Sequence, residues 1–389
     1  MAQTRAITGR KVAAINALDF ASRAFHAVWR PPQARSTTLN AFLILEPWGI
    51  GDVVLSTALM RALRVHFPGA RITLLAKAHA RDLLDNSGLV DEVIVFDFPW
   101  TAFTGKLAPR RYVPKRFHEL IQQLRQRDFD VSFDARRDIR SNVISYFAGA
   151  RRRIGYDSGG GAHLLTDPVE SGNQNEHKVR DWLALLSPLG IQAGECFAPT
   201  LTVTEGERAN ARERIRMAGL STEKLIVGVH PGASQKVRKW SPEHFAAVID
   251  KLSLDPNVQC VVFEEHQGDS ASIAPLARVP RLRGNLRDLM ALIAGCDALL
   301  CADSGPMHIA NALGVPVTAL FGPQRREWYG PRGETDYVVQ VDEMPCRPCF
   351  DACIFATPHC MDGITVEKVS TTVARQLERI AVNKRIGQA

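Results

Sequence analysis

The hydrophobic pattern of the chain consists of short apolar runs that alternate with helical segments. Such runs, separated by helices, are typical of a parallel sheet that helices cover on both faces. The pattern therefore predicts an α/β protein. The predicted strands form two series, at 41–45, 71–77, 92–97 and 131–134, and then at 225–232, 259–265, 298–303 and 316–322.

A connecting stretch at 196–207 separates the two series. A length of 389 residues also suits two domains of ordinary size. We therefore expect two Rossmann-like domains, 41–200 and 201–389, after a basic N-terminal extension of residues 1–40. A ligand is expected in the cleft where two such domains face each other.

The net charge of +7 is concentrated in three basic stretches, at 1–36, 106–116 and 150–156. Together they suggest an anionic partner, such as a phosphorylated glycolipid, a membrane surface or nucleic acid. A solvated basic face explains any single stretch equally well. We expect no nucleic acid, because the basic residues lack the interleaved aromatic side chains on which bases stack.

The N-terminal extension places Ile15, Leu18, Phe25 and Trp29 near one face of a predicted helix. That helix either touches a membrane surface, packs on the protein, or is partly disordered. No apolar run approaches the ~20 residues needed to span a bilayer, and charges interrupt any secretory signal. We expect a cytoplasmic protein with peripheral contact to the inner face of the cytoplasmic membrane.

A glycine-bracketed turn follows the first predicted strand and places Asp52 just before an apolar helix. The dinucleotide fingerprint needs a third glycine after Gly49 and Gly51, and the chain has Val54 instead. Asp52 has two interpretations: the N-cap of a helix at 53–65, or a carboxylate that removes a proton from a nucleophile. The two glycines favour the second, because they let another molecule approach the backbone.

Two stretches in the second half have the character of anion sites. In CADSGPMHIANALG (301–314), Ser304 can cap a helix that begins at Pro306, so that backbone N–H groups and the helix dipole attract a diphosphate. The alternative is purely structural capping. HPGASQKVRKW (230–240) offers Ser234 and the bases Lys236, Arg238 and Lys239. Both loops follow strands, which points to a nucleoside diphosphate.

Four of the eight cysteines lie near the C-terminus, at Cys346, Cys349, Cys353 and Cys360. A C-x2-C pair with two further thiols can bind zinc or iron tetrahedrally. Free thiols or a redox pair are the alternatives. We interpret the others, at 196, 260, 296 and 301, as core residues, because they lie in or beside apolar runs.

Four strings, in this order, resemble glycosyltransferase family nine, the ADP-heptose:lipopolysaccharide heptosyltransferases. They are GIGDVVLSTALMRALRVHFPGARITLLA, VGVHPGAS…RKWSPEHFAAVI, CADSGPMHIANALGVPVTALFGP and CRPC…CMDGITVEKV. The resemblance covers about residues 41–380. It implies a GT-B fold, in which the first domain binds the acceptor and the second binds the nucleotide-sugar. It also implies a C-terminal helix, at about 366–382, that returns toward the first domain.

The resemblance assigns roles to individual residues. Asp52 matches the catalytic base. The residues that match the nucleotide-sugar site are Ser234, Lys239, Asp303, Ser304, Gly305 and His308. The family usually has an acidic ribose contact after the strand at 259–265, for which Glu264, Glu265 and Asp269 compete here, and we take Glu265.

The implied reaction is an inverting transfer from ADP-heptose to an anionic glycolipid or glycan, with no cofactor required for catalysis. Gly49 and Gly51 clear space for the acceptor hydroxyl at Asp52, and the helix start and Lys239 stabilise the leaving ADP. Relatives that heptosylate proteins carry a metal-holding cysteine cluster, so a protein acceptor stays open, as does another donor sugar. A non-catalytic sugar-nucleotide-binding protein would need residues 303–308 but not Asp52. A nicotinamide-dependent oxidoreductase is disfavoured by the missing third glycine.

Overall fold

The computed structural model describes residues 17, 19–24, 39–102, 112–172, 175–192, 197–264 and 279–388. The chain forms two compact units, Met1–Pro199 and Thr200–Ala389. Each unit contains a six-stranded sheet, and all the strand pairs in both sheets are parallel. The predicted α/β class is therefore confirmed.

The first sheet has the strand order β3-β2-β1-β4-β5-β6. Its strands are β1 (Ala41–Glu46), β2 (Arg71–Ala76), β3 (Glu92–Val95), β4 (Val131–Asp134), β5 (Arg152–Tyr156) and β6 (Asp167–Val169). The helices that accompany it are α1 (Ile50–His66), α2 (His79–Leu84), α3 (Pro114–Arg125), α4 (Ile139–Ala148) and α5 (Lys178–Ala184).

The second sheet has the strand order β12-β11-β10-β7-β8-β9. Its strands are β7 (Leu225–His230), β8 (Val258–Glu264), β9 (Arg281–Arg283), β10 (Ala298–Ala302), β11 (Val317–Phe321) and β12 (Tyr337–Gln340). The helices of this unit are α6 (Glu205–Met217), α7 (Pro242–Leu252), α8 (Leu286–Ala294), α9 (Gly305–Ala312), α10 (Arg326–Tyr329), α11 (His359–Asp362) and α12 (Val366–Gln388).

In both sheets the chain adds strands first on one side of the first strand and then on its other side. In the first unit β1 lies between β2 and β4, and in the second β7 lies between β8 and β10. This is the order of doubly wound sheets, in which ligands bind beyond the carboxyl ends of the strands where the order reverses. Each unit therefore has one such switch point, at β1/β4 and at β7/β10.

The C-terminal helix α12 packs inside the second unit, against α7 and β12. It buries Val369, Val373, Leu377 and Ile380, which lie along one face of the helix. The helix starts at the predicted residue and continues to Gln388, past the predicted end at 382. Its return toward the first domain concerns the relation between the two units and stays a prediction.

The sequence pattern missed four strands, β5, β6, β9 and β12. β5 and β9 begin with arginines, and β6 contains Pro168, so none of these three shows a clean apolar run. β6, β9 and β12 are edge strands, where one side of the ladder has no neighbour in the sheet.

One of the three basic stretches, at 150–156, was misread as a surface for an anionic partner. It forms β5, and the Arg153 side chain is buried, with its guanidinium donating to the carbonyls of Leu164 at 2.6 Å and Ala150 at 2.8 Å. Arg151 and Arg152 pair with aspartates of the same unit. All three arginines of this stretch therefore make contacts within the first unit. The stretches at 1–36 and 106–116 lie mostly outside the described residues.

Among the helices in the described ranges, none has both the length and the apolar character that crossing a membrane requires.

Candidate functional site

At the first switch point, Asp52 lies in the first turn of α1, just beyond the carboxyl end of β1. Gly49 is the N-cap of α1, with an extended backbone, and its N–H donates to Asp52 Oδ2 at 3.1 Å. The alternative that Asp52 caps a helix at 53–65 is therefore wrong, because the helix already begins at Ile50. Gly51 is the second residue of the helix. The structure thus brings Gly49, Gly51 and Asp52 into one turn.

Arg136, which follows β4, connects Asp52 to a second carboxylate. Its Nη1 lies 3.0 Å from Asp52 Oδ1. Its Nε donates to Oε2 of Glu46 at 2.9 Å, and its Nη2 donates to the same oxygen. Glu46 is the last residue of β1, is fully buried, and also accepts from the Trp48 N–H at 3.0 Å. A carboxylate, an arginine and a carboxylate therefore follow one another across the β1/β4 switch point.

The buried carboxyls of this switch point are shifted toward their neutral forms. Burial raises the pKa of Glu46 to about 7, although the Arg136 guanidinium opposes the shift. Burial also raises the pKa of Asp134, the last residue of β4, to about 8. Beside them, burial and the charge of Lys77 lower the pKa of His79. Asp52 differs in being partly exposed, at 27% of its side chain, so it is the carboxylate that an incoming molecule can reach.

At the second switch point, α9 begins immediately after β10. Ser304 is the N-cap with an extended backbone, and Gly305 is the first helical residue, one residue earlier than predicted. The Ser304 hydroxyl donates to the Ala302 carbonyl at 3.2 Å and so bonds back to the strand. The first turn of α9, within the described second unit, contains no acidic residue. A helix start of this kind favours an anion.

Arg238 joins this helix start to the cysteine-bearing segment. Its guanidinium donates twice to Asp351, at 2.7 Å for each bond, and its Nη1 lies 3.2 Å from Asp303 Oδ2. Burial disfavours the charged guanidinium, but Asp351 and Asp303 outweigh this and raise the pKa of Arg238. Tyr329 is close enough to Arg238 to interact with it electrostatically, and the Tyr329 ring lies edge-on to His308 with centroids 6.5 Å apart. These side chains form one cluster at the β7/β10 switch point.

The remaining predicted nucleotide-site residues lie at the ends of β7 and β8. Ser234 is exposed in the loop after β7, and Lys239 follows the short 3-10 turn Lys236–Arg238. Glu264, a competitor for the ribose contact, is instead buried and paired with Arg281 at 2.6 Å and with Arg283. Glu265, the residue we took for that contact, and its rival Asp269 lie outside the described residues.

The four C-terminal cysteines line one concavity together with His359. Burial raises the pKa of Cys360 to about 11, and the other three cysteines add to the shift. Even so, the described residues contain no group of three or more His, Cys, Asp or Glu side chains placed to hold a metal ion. The four thiols are neighbours in this concavity. Cys260, Cys296 and Cys301 are buried, as predicted for core residues, and Cys196 lies outside the described residues.

Sequence reasoning missed Glu46, Arg136 and Asp351, and it offered Arg238 only as an alternative to Lys239. Glu46 carried a usable signal, because it is an acidic residue that ends an otherwise apolar strand beside the turn of Asp52. Arg136 stands two residues after the next strand of the switch point. Asp351 gave no local signal, since it is far from Arg238 along the chain.

Comparison with protein families gives one match that covers most of the chain. The model of "Glycosyltransferase family 9 (heptosyltransferase)" matches residues 117–357. Lipopolysaccharide heptosyltransferase 2 of Escherichia coli (strain K12) is 28% identical over 317 residues, which are 77% of this chain and 87% of that protein.

Solved structures agree with the fold. The structure of E. coli ADP-heptose LPS heptosyltransferase II covers 88% of this chain and 99% of its own, with a TM-score of 0.68 and 23% identity. The iron-containing dodecameric glycosyltransferase TibC of enterotoxigenic E. coli H10407 covers 89% of this chain and 78% of its own, with a TM-score of 0.54 and 14% identity. At these identities the structural likeness supports the fold alone.

Proposed function

The chain belongs to glycosyltransferase family 9, and from this premise we propose that it transfers a heptosyl group from ADP-heptose to a hydroxyl of a lipopolysaccharide inner-core glycan. The observation that carries the proposal is the family match over residues 117–357. The GT-B fold fits it, with its two six-stranded parallel sheets. The two switch points also fit the proposal, because one presents a reachable carboxylate and the other presents a helix start suited to a diphosphate.

In the proposed reaction Asp52 is the general base. Its carboxylate removes the proton of the acceptor hydroxyl, and the resulting oxygen attacks the anomeric carbon of the heptose on the face opposite to ADP. The bond between that carbon and the diphosphate oxygen breaks, so the product has inverted configuration. The first unit is therefore the acceptor-binding domain in this proposal, with Gly49 and Gly51 beside the reacting hydroxyl.

The second unit binds the donor in this proposal. The backbone N–H groups at Ser304 and Gly305 and the side chains of Arg238, Lys239 and His308 receive the diphosphate. Fixed donors and positive charge stabilise the negative charge that develops on the leaving ADP. Because these groups belong to the protein, we propose that catalysis requires no cofactor, and transfer that persists in excess chelator is the expected result.

A structural metal at the cysteine cluster is a separate proposal. The supporting observation is that Cys346, Cys349, Cys353 and Cys360 line one concavity, and thiolates bind zinc and iron. No step of the transfer involves this site. Elemental analysis of the purified protein and of its Cys346→Ser, Cys349→Ser variant tests it: stoichiometric zinc or iron that the variant lacks supports the site, and a metal-free wild type contradicts it.

We also propose that the protein works in the cytoplasm, with peripheral contact to the inner face of the membrane. The support comes from the basic residues of the stretches at 1–36 and 106–116. Co-sedimentation with vesicles that contain anionic lipid, lost when salt screens the charges, is the expected outcome. Equal recovery with neutral and anionic vesicles would contradict it.

The experiment that tests the function is a transfer assay with purified protein, ADP-heptose and lipopolysaccharide truncated before the inner-core heptoses. Release of ADP together with addition of one heptosyl residue supports the proposal. Transfer only to a protein would mean that the acceptor is not lipopolysaccharide, and transfer only from another nucleotide-sugar would mean that the donor is not ADP-heptose. Binding of ADP without transfer to any acceptor would favour a non-catalytic binding protein.

A further inference from the structure

Arg136 is held by several contacts at the first switch point. Its guanidinium contacts Asp52 Oδ1 through Nη1 at 3.0 Å and Glu46 Oε2 through Nε at 2.9 Å. The side chain is 17% exposed and lies over the Trp182 ring, 5.8 Å from its centroid. Glu46 itself has no exposed surface. The guanidinium therefore cannot move away from Asp52 without also breaking a buried contact.

The Asp52 carboxylate is held from two directions. Arg136 contacts Oδ1, while the Gly49 N–H donates to Oδ2 at 3.1 Å. Contacts on both oxygens fix the plane of the carboxylate. Each carboxylate oxygen accepts more than one hydrogen bond, so the partly exposed group still has capacity for a proton from an acceptor hydroxyl.

We propose that Arg136 is a positioning residue that orients the Asp52 carboxylate for proton removal, and that buried Glu46 anchors Arg136 in that position. The inference rests on the proposed role of Asp52 as the base. It adds that the base works as the outer member of a chain of three side chains, in which the inner member never touches substrate.

The charges around the chain set the expected pH effect. Arg136 is a cation beside Asp52, so its removal makes Asp52 easier to protonate. Two further titratable groups interact with these three: Asp134, at the end of β4, with Glu46 and Arg136, and His79, at the start of α2, with Asp52. Asp138 in turn acts on Asp134, and Lys77 and Asp82 act on His79. Burial raises the pKa of Glu46 to about 7, so Glu46 is largely neutral at acidic pH and contributes an anchor more than a charge there.

The test is the pH profile of kcat/KM for heptosyl transfer by the wild type and by Arg136→Gln. We expect kcat to fall by up to about a hundredfold, the cost of misplacing a reacting group by about 1 Å. The KM for ADP-heptose should stay within about twofold, because donor binding is assigned to the other unit. The acidic limb of the profile should move to higher pH by about one unit. Arg64→Gln removes an arginine of similar exposure that pairs with Asp91, and its profile should match the wild type.

Two further variants keep the test decisive if Arg136→Gln folds poorly. Arg136→Lys keeps the charge but loses the forked geometry, so kcat should fall while the acidic limb stays in place. At the anchor, Glu46→Gln can still accept from Arg136 and should lose about threefold in kcat, whereas Glu46→Ala should lose about tenfold. Thermal unfolding of each variant establishes the folded fraction before rates are compared.

The outcomes separate this inference from the proposed function. A wild type that transfers heptose, with an unmoved acidic limb in Arg136→Gln and equal kcat values in Glu46→Gln and Glu46→Ala, overturns the positioning role alone. Transfer that survives in Asp52→Asn overturns the role of Asp52 as the base and this inference with it, but leaves the proposed function standing. Transfer that is missing from the wild type with every acceptor overturns the proposed function as well.

Discussion

The two units have the same sheet order, but the helix starts at their switch points differ in charge. At both switch points a helix begins after the carboxyl end of a strand, and an arginine lies between two carboxylates. In the first unit the helix start is occupied by the chain's own carboxylate, because the Gly49 N–H donates to Asp52. In the second, the first turn of α9 contains no acidic side chain.

One architecture can therefore support two kinds of chemistry. A helix start filled by a carboxylate repels a second anion and offers a proton acceptor, whereas a helix start without one attracts an anion. The first unit is therefore suited to a neutral hydroxyl and the second to a diphosphate.

The largest effect is expected for Asp52→Asn. The amide cannot accept the proton, so kcat for transfer should fall by about 10²–10⁴-fold, the range of a lost general base. Asp250→Asn changes an exposed aspartate of α7 in the same way and should leave kcat unchanged. Initial rates of ADP release check both. A rate for Asp52→Asn within threefold of the wild type would contradict the assignment of Asp52 as the general base.

A large effect on stability is expected for Arg238→Ala. It leaves Asp303, only 3% exposed, without that cation, and removing one partner of such a pair costs about 3–5 kcal/mol. Arg136→Ala should cost less below pH 7, because Glu46 can take a proton instead. Urea unfolding at pH 6 compares the two, with unfolding of each unit followed separately. Equal losses in the free energy of unfolding would show that protonation of Glu46 does not reduce the cost of removing Arg136.

A pH-dependent effect is expected for Asp134→Asn. Burial raises the pKa of Asp134 to about 8, so the folded state binds a proton that the unfolded state releases above its ordinary value of 3.8. This lowers the stability of the wild type as pH rises from about 4 to about 8, and the amide removes that loss. Relative to the wild type, the free energy of unfolding of Asp134→Asn should rise by roughly 2–4 kcal/mol between pH 5 and pH 8, at about 1.4 kcal/mol per pH unit. If the free energies of unfolding of the variant and the wild type differ by the same amount at pH 5 and pH 8, the raised pKa of Asp134 is contradicted.

The smallest effect on folding is expected for Gly49→Ala. A Cβ there would lie 3.6 Å from Asp52 Oδ2, an ordinary contact, so the backbone does not require glycine. The change of N-cap residue should cost on the order of 1 kcal/mol or less. The acceptor KM should nevertheless rise several-fold, because the methyl group narrows the approach to Asp52. An unchanged acceptor KM would mean that the glycine does not serve access.

The sequence predicted most of the fold because the buried strands are continuous apolar runs. β1, β7, β10 and β11 are entirely or almost entirely buried, and all four were located from the pattern. The missed strands have a different composition. β5 carries Arg152 and Arg153, and one of the two carbonyl groups that accept from Arg153 belongs to Leu164, 11 positions further along the chain. A local pattern cannot reveal such a partner, so the stretch was interpreted as a basic surface.

The candidate site was predictable where its residues are contiguous. Asp52 with its glycines, and Asp303 to His308, are short strings whose geometry follows from a helix start. Arg136, Glu46 and Asp351 were missed because their contacts join segments that are far apart, such as the 113 positions between Arg238 and Asp351. The roles of these residues depend on the sheet order, and that order becomes visible only in the folded chain.

The most direct test of the contrast between the switch points is calorimetric titration of ADP into the wild type, Asp52→Asn and His308→Ala. We expect ADP affinity within about twofold of the wild type for Asp52→Asn, and roughly tenfold weaker binding for His308→Ala, the scale of one lost hydrogen bond to a charged group. Loss of ADP binding in Asp52→Asn with full binding in His308→Ala would contradict this expectation, since the anion would then bind at the first switch point.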